Sequence, residues 1–229
     1  MPTAFDREAA GYEAAIEEAI AFAGQPHDVY VEAKVERLLE LARRRLDDEA
    51  IDALDVGCGP GLTDRRLRSH VRSLHGVDVS EEMVARARQA VPDADYRAYD
   101  GTRLPYPDGG FDLVFAICVV HHVARELRLQ FLRELQRVTR PQGLVAVFEH
   151  NPWNPLTRRV VRHIPFDEGV ELVSRGRLAS AFGAAGLEVT DAEYLLFTPW
   201  RAPALARLER RLSWLPLGAQ YVVAGHPAS

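Results

Sequence analysis

Glycine stands at every second position of one short loop, at Gly57, Gly59 and Gly61, directly after the apolar run Ala53–Val56. Glycine accepts positive φ and has no Cβ, so a loop of this kind lets the backbone come close to a ligand. A helix that follows the loop adds its unpaired N-terminal amides to the same place. The spacing therefore predicts a site for a small-molecule cofactor at the end of a strand.

Two carboxylates are placed to contact the polar groups of such a ligand. Asp78 ends the next apolar run about 20 positions further along, where a carboxylate can accept hydrogen bonds from two ribose hydroxyls. Asp55 precedes the loop, and its charge would repel a pyrophosphate but attract an ammonium group. The dinucleotide pattern G-x-G-x-x-G would need its third glycine where Leu62 stands. We therefore expect a less anionic cofactor, with a nicotinamide-dependent oxidoreductase as an alternative.

Histidines supply the possible acid–base chemistry. His121 and His122 follow the predicted fourth strand, and Glu149 and His150 follow the fifth, at the edge where ligands bind in open α/β sheets. A histidine that titrates near neutrality can remove the proton of a hydroxyl group. If a base is needed, we expect His122 or His150 to supply it. For His121 we expect a structural role, capping the helix that starts near Ala124.

Short apolar runs alternate with helical patterns between residues 50 and 150, which is typical of βαβ units and a parallel sheet. The predicted strands are Ala53–Val56, Leu74–Val77, Asp95–Tyr99, Phe111–Ile117 and Leu144–Phe148. The predicted helices lie near Thr63–Ser69, Glu81–Ala90 and Arg125–Thr139. The last of these is expected to end in a turn at Arg140-Pro141-Gln142-Gly143.

The flanks complete a single α/β domain over residues 1–229. Residues 1–46 carry apolar side chains at helical spacing and predict two helices ahead of the 50–150 core. In the region 151–229, two strand-like runs, Leu187–Phe197 and Gln220–Ala224, are joined by a segment too short for a crossover, so they predict an antiparallel hairpin. The expected architecture is a seven-stranded, mostly parallel sheet with an antiparallel last strand and helices on both faces.

Composition excludes several classes of protein. A chain of 229 residues with 47% hydrophobic and 27% charged residues is ordinary globular composition, and a net charge of -5 argues against a duplex-binding surface. Two cysteines, Cys58 and Cys118, do not suggest a disulfide framework. The N-terminus has no secretory pattern, and the longest apolar run, Leu113–Val120, is too short to cross a bilayer. We expect a soluble, cytoplasmic protein.

Five ordered motifs resemble those of class I S-adenosyl-L-methionine-dependent methyltransferases of the small-molecule type, similar to those of ubiquinone and menaquinone biosynthesis. The motifs are Asp55–Gly61, Gly76–Ser80, the segment from Tyr99 to Asp112, Val120–Val123 and Val138–Gly143. Five motifs in order are far more specific than one glycine loop. The family usually has glycine at the position of Gln142. The resemblance implies a Rossmann-like fold, S-adenosyl-L-methionine as cofactor, S-adenosyl-L-homocysteine as product, and no metal.

The resemblance also implies roles for residues at the amino-acid end of the cofactor. Backbone groups of Gly57, Cys58 and Gly59 would contact its amino-acid portion. Asp55 would assist the binding of its ammonium group, and Asp78 would hold the ribose hydroxyls.

At the adenine end, the resemblance implies that Val79 and Met83 pack on the ring. Asp100 would accept a hydrogen bond from the adenine amino group, and the amide of Gly101 would donate to a ring nitrogen. Backbone near Ile117 would lie close to the sulfonium. Two plainer interpretations stay open, because Met83 could be core filler and Asp100 could simply begin a turn.

Two flanking regions are expected to form the acceptor side. The first helices either cover the pocket, as such additions do in this superfamily, or pack on the sheet. Residues 149–159 would form a second wall, where Arg158, Arg159 and the nearby Arg162 either bind an anion or face solvent. The basic amphipathic stretch Trp200–Leu215 would pack on the domain or touch a membrane, and we favour packing.

The favoured function is methylation of a small-molecule or metabolite acceptor, with O-methylation ahead of N- or C-methylation. Ile117–Val120 stands where an N-P-P-Y-type tetrapeptide would indicate N-methylation of a base or amide. The alternatives are a non-catalytic methyltransferase-fold binding subunit and an NAD-dependent oxidoreductase. No nucleic-acid partner is expected, and the chain could be a monomer or a homodimer.

Overall fold

In the computed structural model, which describes residues 11–46, 51–196, 209 and 211–228, seven strands form one sheet. The strands are β1 (Asp52–Val56), β2 (Ser73–Asp78), β3 (Asp95–Ala98), β4 (Phe111–Ile117), β5 (Thr139–His150), β6 (Leu187–Leu195) and β7 (Gln220–Pro227). Their order is β3-β2-β1-β4-β5-β7-β6. Pairing is parallel from β3 to β5, and β7 runs antiparallel to both β5 and β6. The predicted sheet, with its antiparallel last strand, is confirmed.

Helices cover both faces of the sheet. They are α1 (Tyr12–Ile20), α2 (His27–Arg43), α3 (Asp64–Leu67), α4 (Glu81–Ala90), α5 (Arg128–Val138), α6 (Pro155–His163) and α7 (Arg175–Ala184). Successive side chains of a strand point to opposite faces. Accordingly, Leu54 shares an apolar cluster with Leu132 of α5 and Phe182 of α7, whereas its neighbour Ala53 shares another with Leu38 of α2.

The start of β5 differs from the prediction. The helix ends at Val138 and the strand begins at Thr139, so residues 140–143 belong to the strand instead of a separate turn. The register jumps there from Phe111 opposite Thr139 to Leu113 opposite Leu144, which marks a bulge. Arg140 anchors the bulge through ion pairs with Asp52 of β1 and Asp112 of β4.

Other predicted boundaries also shift. The third helix splits into α3 and a 3-10 turn, Arg68–His70, and a 3-10 turn at Arg125–Leu127 precedes α5. The third strand ends at Ala98, one residue before its predicted end at Tyr99.

The capping residue of α6 explains where the segment after β5 becomes helical. The side chain of Asn154 accepts hydrogen bonds from the amides of Leu156 and Thr157, at 2.9 and 3.1 Å. Pro155 occupies the first helical position, where its missing amide hydrogen costs nothing. This cap fixes the helix next to the carboxyl end of β5.

Within the described part of the chain, no helix is long and apolar enough to cross a membrane. Most of the predicted amphipathic stretch Trp200–Leu215, and the first ten residues of the predicted N-terminal helices, lie outside the described residues.

Candidate active site

The carboxyl ends of β1, β4 and β5 open onto a cavity of about 510 Å³. In an open α/β sheet this is the edge where ligands bind. The cavity wall includes seven of the predicted site residues, namely Asp55, Gly57, Cys58, Gly59, Ile117, His122 and His150. The other five lie outside that wall, at or after the ends of β2 and β3; they are Asp78, Val79, Met83, Asp100 and Gly101.

The glycine loop adopts the backbone that its sequence demands. Gly57, Gly59 and Gly61 all have positive φ, at 83°, 52° and 79°. A Cβ on Gly57 would also lie 2.5 Å from a methyl carbon of Val119. The amides of Gly57 and Cys58 both donate to the carbonyl oxygen of Val77, at 2.7 and 3.0 Å. The loop is therefore fixed to the end of β2 by its own backbone.

Asp78 connects the glycine loop with the start of α4. Its two carboxylate oxygens accept from the amides of Gly59 and Ser80, each at 2.9 Å. The side chain of Ser80 then caps α4 by accepting from the amide of Met83 at 3.1 Å. Asp78 thus holds the glycine loop and the start of α4 together at the end of β2.

The predicted adenine-side residues have contrasting environments. Val79 is 39% exposed, and a Cβ on Gly101 would touch its side chain at 3.3 Å, so these two residues are neighbours at the surface. Met83 is 1% exposed and belongs to the interior. Asp100 accepts from the amide and hydroxyl of Thr102, at 2.8 and 2.6 Å, and so begins a turn.

A pair of buried carboxyl groups lies below the glycine loop. Asp55 and Asp64 are both buried, and one oxygen of each, Oδ1, finds no donor among the described residues. Burial and the neighbouring Asp64 raise the pKa of Asp55 well above its usual range. Burial also raises the pKa of Asp64, although the hydroxyl of Tyr96 donates to it at 2.8 Å. The pair therefore holds a proton at neutral pH.

Histidines and carboxylates form a buried cluster after β4 and β5. Nδ1 of His121 lies 2.6 Å from Oε2 of Glu149, whose Oε1 accepts from the amide of Val120 at 2.6 Å. Oδ1 of Asp167 lies 3.2 Å from Nε2 of His122 and 3.6 Å from Nε2 of His121. The expectation that His121 caps the next helix is wrong, because its ring is held by Glu149 and no side chain caps the turn that begins at Arg125.

The charges of this cluster follow from burial and from proximity. Burial alone would lower the pKa of His121, but Glu149 and Asp167 raise it well above the usual value. Burial and the charge of His121 lower the pKa of His150 to about 4, and burial lowers that of His122. Despite their burial, Glu149 and Asp167 have lowered pKa values because His121 faces both. At neutral pH both carboxylates are charged, and His122 and His150 are neutral.

The opposite wall of the cavity comes from the N-terminal helices and α6. Tyr12 of α1 stacks on Phe166 with ring centroids 4.7 Å apart. Lys34 of α2 is only 5% exposed and lines the same cavity, as do Leu156 and Thr157 of α6. The N-terminal helices and the segment after β5 therefore both contribute to the cavity, as the sequence suggested.

The arginines of α6 and the two cysteines differ in their position relative to the cavity. Arg158, Arg159 and Arg162 are exposed on α6 and do not line the cavity, in keeping with a solvated helical face. Cys58 and Cys118 are free thiols, and both contact the cavity. Cys118 also has a positive φ of 58°, which is uncommon for a residue with a side chain.

Three residues of the site were not predicted. Asp64 lies just past the glycine loop, and its acidic type at that position was an available signal. For Lys34 the only signal in the sequence was a charged residue within an apolar helical pattern. Asp167 had none at all, because it follows α6 and meets His121 and His122 only in the folded chain.

Comparison with known proteins supports the same family. Residues 54–147 match the family model described as "Methyltransferase domain". The trans-aconitate 2-methyltransferase of Azoarcus sp. (strain BH72) is 34% identical over 147 residues, which are 63% of this chain and 56% of that protein. A ubiquinone biosynthesis O-methyltransferase of Rhizobium etli (strain CFN 42) is 29% identical over 164 residues, 66% of this chain and 65% of that protein. The chain thus spans less than two thirds of either relative.

The fold has a close counterpart among solved structures. A chain from the complex between the Haloferax volcanii Trm112 methyltransferase activator and the putative methyltransferase superposes with a TM-score of 0.71 at 22% identity, and the match covers 100% of both chains. Residues 54–147 are thus similar to the methyltransferase domain family, and the chain shares its fold with that solved structure.

Proposed function

We propose that this chain is an S-adenosyl-L-methionine-dependent methyltransferase that methylates a hydroxyl oxygen of a small molecule. The observation that carries the proposal is the continuity of the cavity, which runs from Gly57 and Gly59 to His122 and His150. Methyl transfer requires the acceptor atom to be aligned with the methyl carbon and water to be excluded. A single cavity that joins the glycine loop to the histidines would bring the methyl carbon and the acceptor atom together.

The glycine loop and its carboxylates fit the cofactor. Oδ1 of Asp55 is buried, unpaired among the described residues and part of a residue that lines the cavity, so it suits an ammonium group. The amides of Gly57, Cys58 and Gly59 are already used within the fold, so their contacts to a ligand would come from carbonyl oxygens. Asp78 would accept the ribose hydroxyls. When bound, the cofactor supplies a methyl group activated by positive sulfur.

The adenine end would be held between the start of α4 and the turn after β3. Val79 offers an exposed apolar side chain beside Gly101, whose amide would donate to the ring. Asp100 would accept from the adenine amino group while its turn stays intact. Met83 would support Val79 from the interior. Backbone at Ile117, the last residue of β4, would lie near the sulfur.

The acceptor end of the cavity supports a small-molecule substrate. Apolar side chains of α1, α2 and α6 contribute to the cavity wall, and relatives named for trans-aconitate and for ubiquinone biosynthesis support a small-molecule acceptor. Removal of a hydroxyl proton by a placed side chain typically accelerates a reaction by about 10²–10⁴. His122 and His150 both face the cavity, and Asp167 orients His122, so these two histidines are the candidate bases.

The test is a methylation assay with S-adenosyl-L-methionine and a panel of phenols, alcohols, carboxylic acids and amines, with products identified by mass spectrometry. We expect methyl ethers of phenols or alcohols. His122→Ala or His150→Ala should slow their formation by about 100-fold, because a general base is lost. Esters of carboxylic acids, which need no base, should form at the wild-type rate, and His163→Ala, an exposed residue on α6, should leave every rate unchanged.

Methylation of amines alone would contradict the assignment of the acceptor atom. Full phenol turnover in both histidine variants would contradict the base. Binding of S-adenosyl-L-homocysteine without turnover of any class would support the non-catalytic binding subunit instead.

A further inference from the structure

The buried cluster behind the acceptor end of the cavity has the composition of a metal site. We propose that His121, His150 and Asp167 bind a divalent transition metal such as Zn²⁺, with one coordination position open to the cavity. One ligand atom from each residue lies within 4.8 Å of the other two. Zinc bonds histidine nitrogen and carboxylate oxygen at about 2.0–2.2 Å, so neighbouring ligand atoms end up roughly 3.3 Å apart. Side-chain shifts of about 1.5 Å or less would close the set.

An unpaired ring nitrogen points to a ligand at this place. Nε2 of His121 is buried without a hydrogen-bond partner among the described residues, and its side chain is 1% exposed. The nearby Oδ1 of Asp167 is 3.6 Å away, which is beyond hydrogen-bond range. A buried polar atom left without a partner is destabilising. A metal ion between Nε2 and Asp167 would remove that destabilising effect.

Glu149 prepares His121 for coordination. Its carboxylate lies 2.6 Å from Nδ1 and therefore fixes that nitrogen as a hydrogen donor, so a metal would bind at Nε2 in place of the proton there. Glu149 is itself fully buried and is held by the amide of Val120. A histidine that binds metal through one nitrogen usually donates to a carboxylate from the other, and this partner orients the ring and raises its basicity.

The charges around the cluster suit a dication. Glu149 and Asp167 are both buried carboxylates, and a divalent ion balances their two negative charges when the histidines are neutral. Lys34 brings one positive charge to the same cavity, but it also faces Asp55 of the glycine loop. Nε2 of Gln220 lies 3.4 Å from Nδ1 of His150 and 3.4 Å from Sγ of Cys118, so Gln220 borders the cluster on this side.

The open position gives the metal a role in the proposed reaction. His121, His150 and Asp167 all line the cavity, so a ligand in the cavity can complete the coordination. An acceptor hydroxyl bound there would have a lowered pKa and a fixed position. This role rests on the proposed function. It makes His150 a metal ligand instead of a base and leaves His122 to take the proton.

The test measures metal binding without any acceptor. The full chain, purified without a histidine tag, is analysed for bound metal, stripped with a chelator, and titrated with Co²⁺ and Zn²⁺ by visible absorption and calorimetry. We expect one equivalent of metal and the visible bands of low-symmetry Co²⁺. His150→Ala and Asp167→Asn should each weaken binding by at least about 100-fold. Glu149→Gln should weaken it by about 10–100-fold, as removal of such an outer partner does.

Two controls separate this result from misfolding and from failure of the proposed function. His163→Ala removes an exposed histidine outside the cluster and should bind metal like the wild type. S-adenosyl-L-homocysteine binding by each variant checks that the cofactor site is folded. A wild type that binds this ligand but no equivalent of metal, or cluster variants that titrate like the wild type, would overturn the metal site. Metal binding without S-adenosyl-L-homocysteine binding would instead contradict the proposed function.

Discussion

The carboxyl groups of Asp55 and Asp64 place two acids in the interior directly below the glycine loop. Two charges at that depth would repel each other and lack solvation, so the pair keeps a proton. Tyr96 donates to Asp64 and lies against Gly76, where a Cβ would come within 2.5 Å of its ring. The loop therefore rests on a monoanionic pair that is suited to a cationic ligand.

We predict that Asp64→Asn reduces the pH dependence of stability. Between pH 3.8 and about 7 the folded chain keeps a proton on Asp64 that the unfolded chain has released. The free energy of unfolding of the wild type should therefore fall as the pH rises through this window. Asn cannot ionise and can still accept from Tyr96. Urea denaturation from about pH 5 to about pH 8 should show a relative gain of about 2 kcal/mol for the variant.

The control for this prediction is Asp93→Asn, an exposed acid paired with Arg68. It should show the pH dependence of the wild type. The account of the acid pair is wrong if Asp64→Asn and the wild type lose stability equally as the pH rises. Asp55 and Cys58 also face Asp64, and Asp78 faces both of them, so the test compares the pH dependence of the two variants with that of the wild type.

Single residues were predictable where their partners are close in sequence. Local sequence is enough to explain the glycine loop, Asp55 and Asp78, because a strand, a turn and a helix start lie within a few positions of them. The partnership of His121 with Glu149 and Asp167 could not be predicted in this way, because it depends on β4 and β5 lying side by side and on the turn after α6. The expected helix cap assigned His121 a partner close in sequence, whereas its actual partners, Glu149 and Asp167, are far away in the chain.

Among the secondary-structure elements, β5 differs most from its prediction, because its first residues carry a turn-forming sequence and yet pair within the sheet. The Pro-Gln-Gly sequence suggested a helix stop and a free turn, yet residues 140–143 continue into the sheet. Arg140 pairs with Asp52 and Asp112, which holds this segment against β1 and β4. The strand types and their order were predictable from alternating apolar runs. The bulge was not, because the ion pairs that accompany it join residues far apart in the sequence.

We predict that Gly143→Ala destabilises the fold. A Cβ there would lie 2.8 Å from the carbonyl oxygen of Asp112 and 3.0 Å from that of Arg140, and the backbone cannot easily move away. Forcing an extra methyl into such a place typically costs about 1–3 kcal/mol. Gly183→Ala is the matched control, because a Cβ at that position in α7 meets nothing within 4 Å. Thermal denaturation that shows equal stability for both variants would contradict the packing described for the bulge.

At the scale of the whole molecule, the N-terminal helices complete a cavity that the sheet only begins. Tyr12 of α1 stacks on Phe166, next to Asp167 of the histidine cluster, and its phenol also faces Asp55 and Asp78. This ring therefore lies between the glycine loop and the acceptor end. The sequence predicted both helices and their place near the pocket, but not the stacking, since Tyr12 and Phe166 are far apart in the chain.

We predict that Tyr12→Ala raises the KM for the acceptor by about threefold to tenfold and leaves the fold intact. An aromatic pair contributes roughly 0.5–1.5 kcal/mol beyond the area it buries, and its loss loosens the wall of the cavity. Tyr12→Phe keeps the stack and should retain the wild-type KM. Steady-state kinetics with the acceptor identified by the methylation assay provide the measurement. An equal KM in Tyr12→Ala and Tyr12→Phe would show that the stack does not shape the acceptor site.

Calorimetric titration of the purified chain with S-adenosyl-L-homocysteine and, separately, with NAD tests the central claim most directly. The account predicts one site of roughly micromolar affinity for S-adenosyl-L-homocysteine and no heat with NAD. Asp78→Asn should weaken that affinity by about 10–100-fold, since hydrogen bonds to a charged group are worth roughly 1.5–3 kcal/mol, whereas Asp93→Asn should not change it. Binding of NAD without S-adenosyl-L-homocysteine would contradict the account.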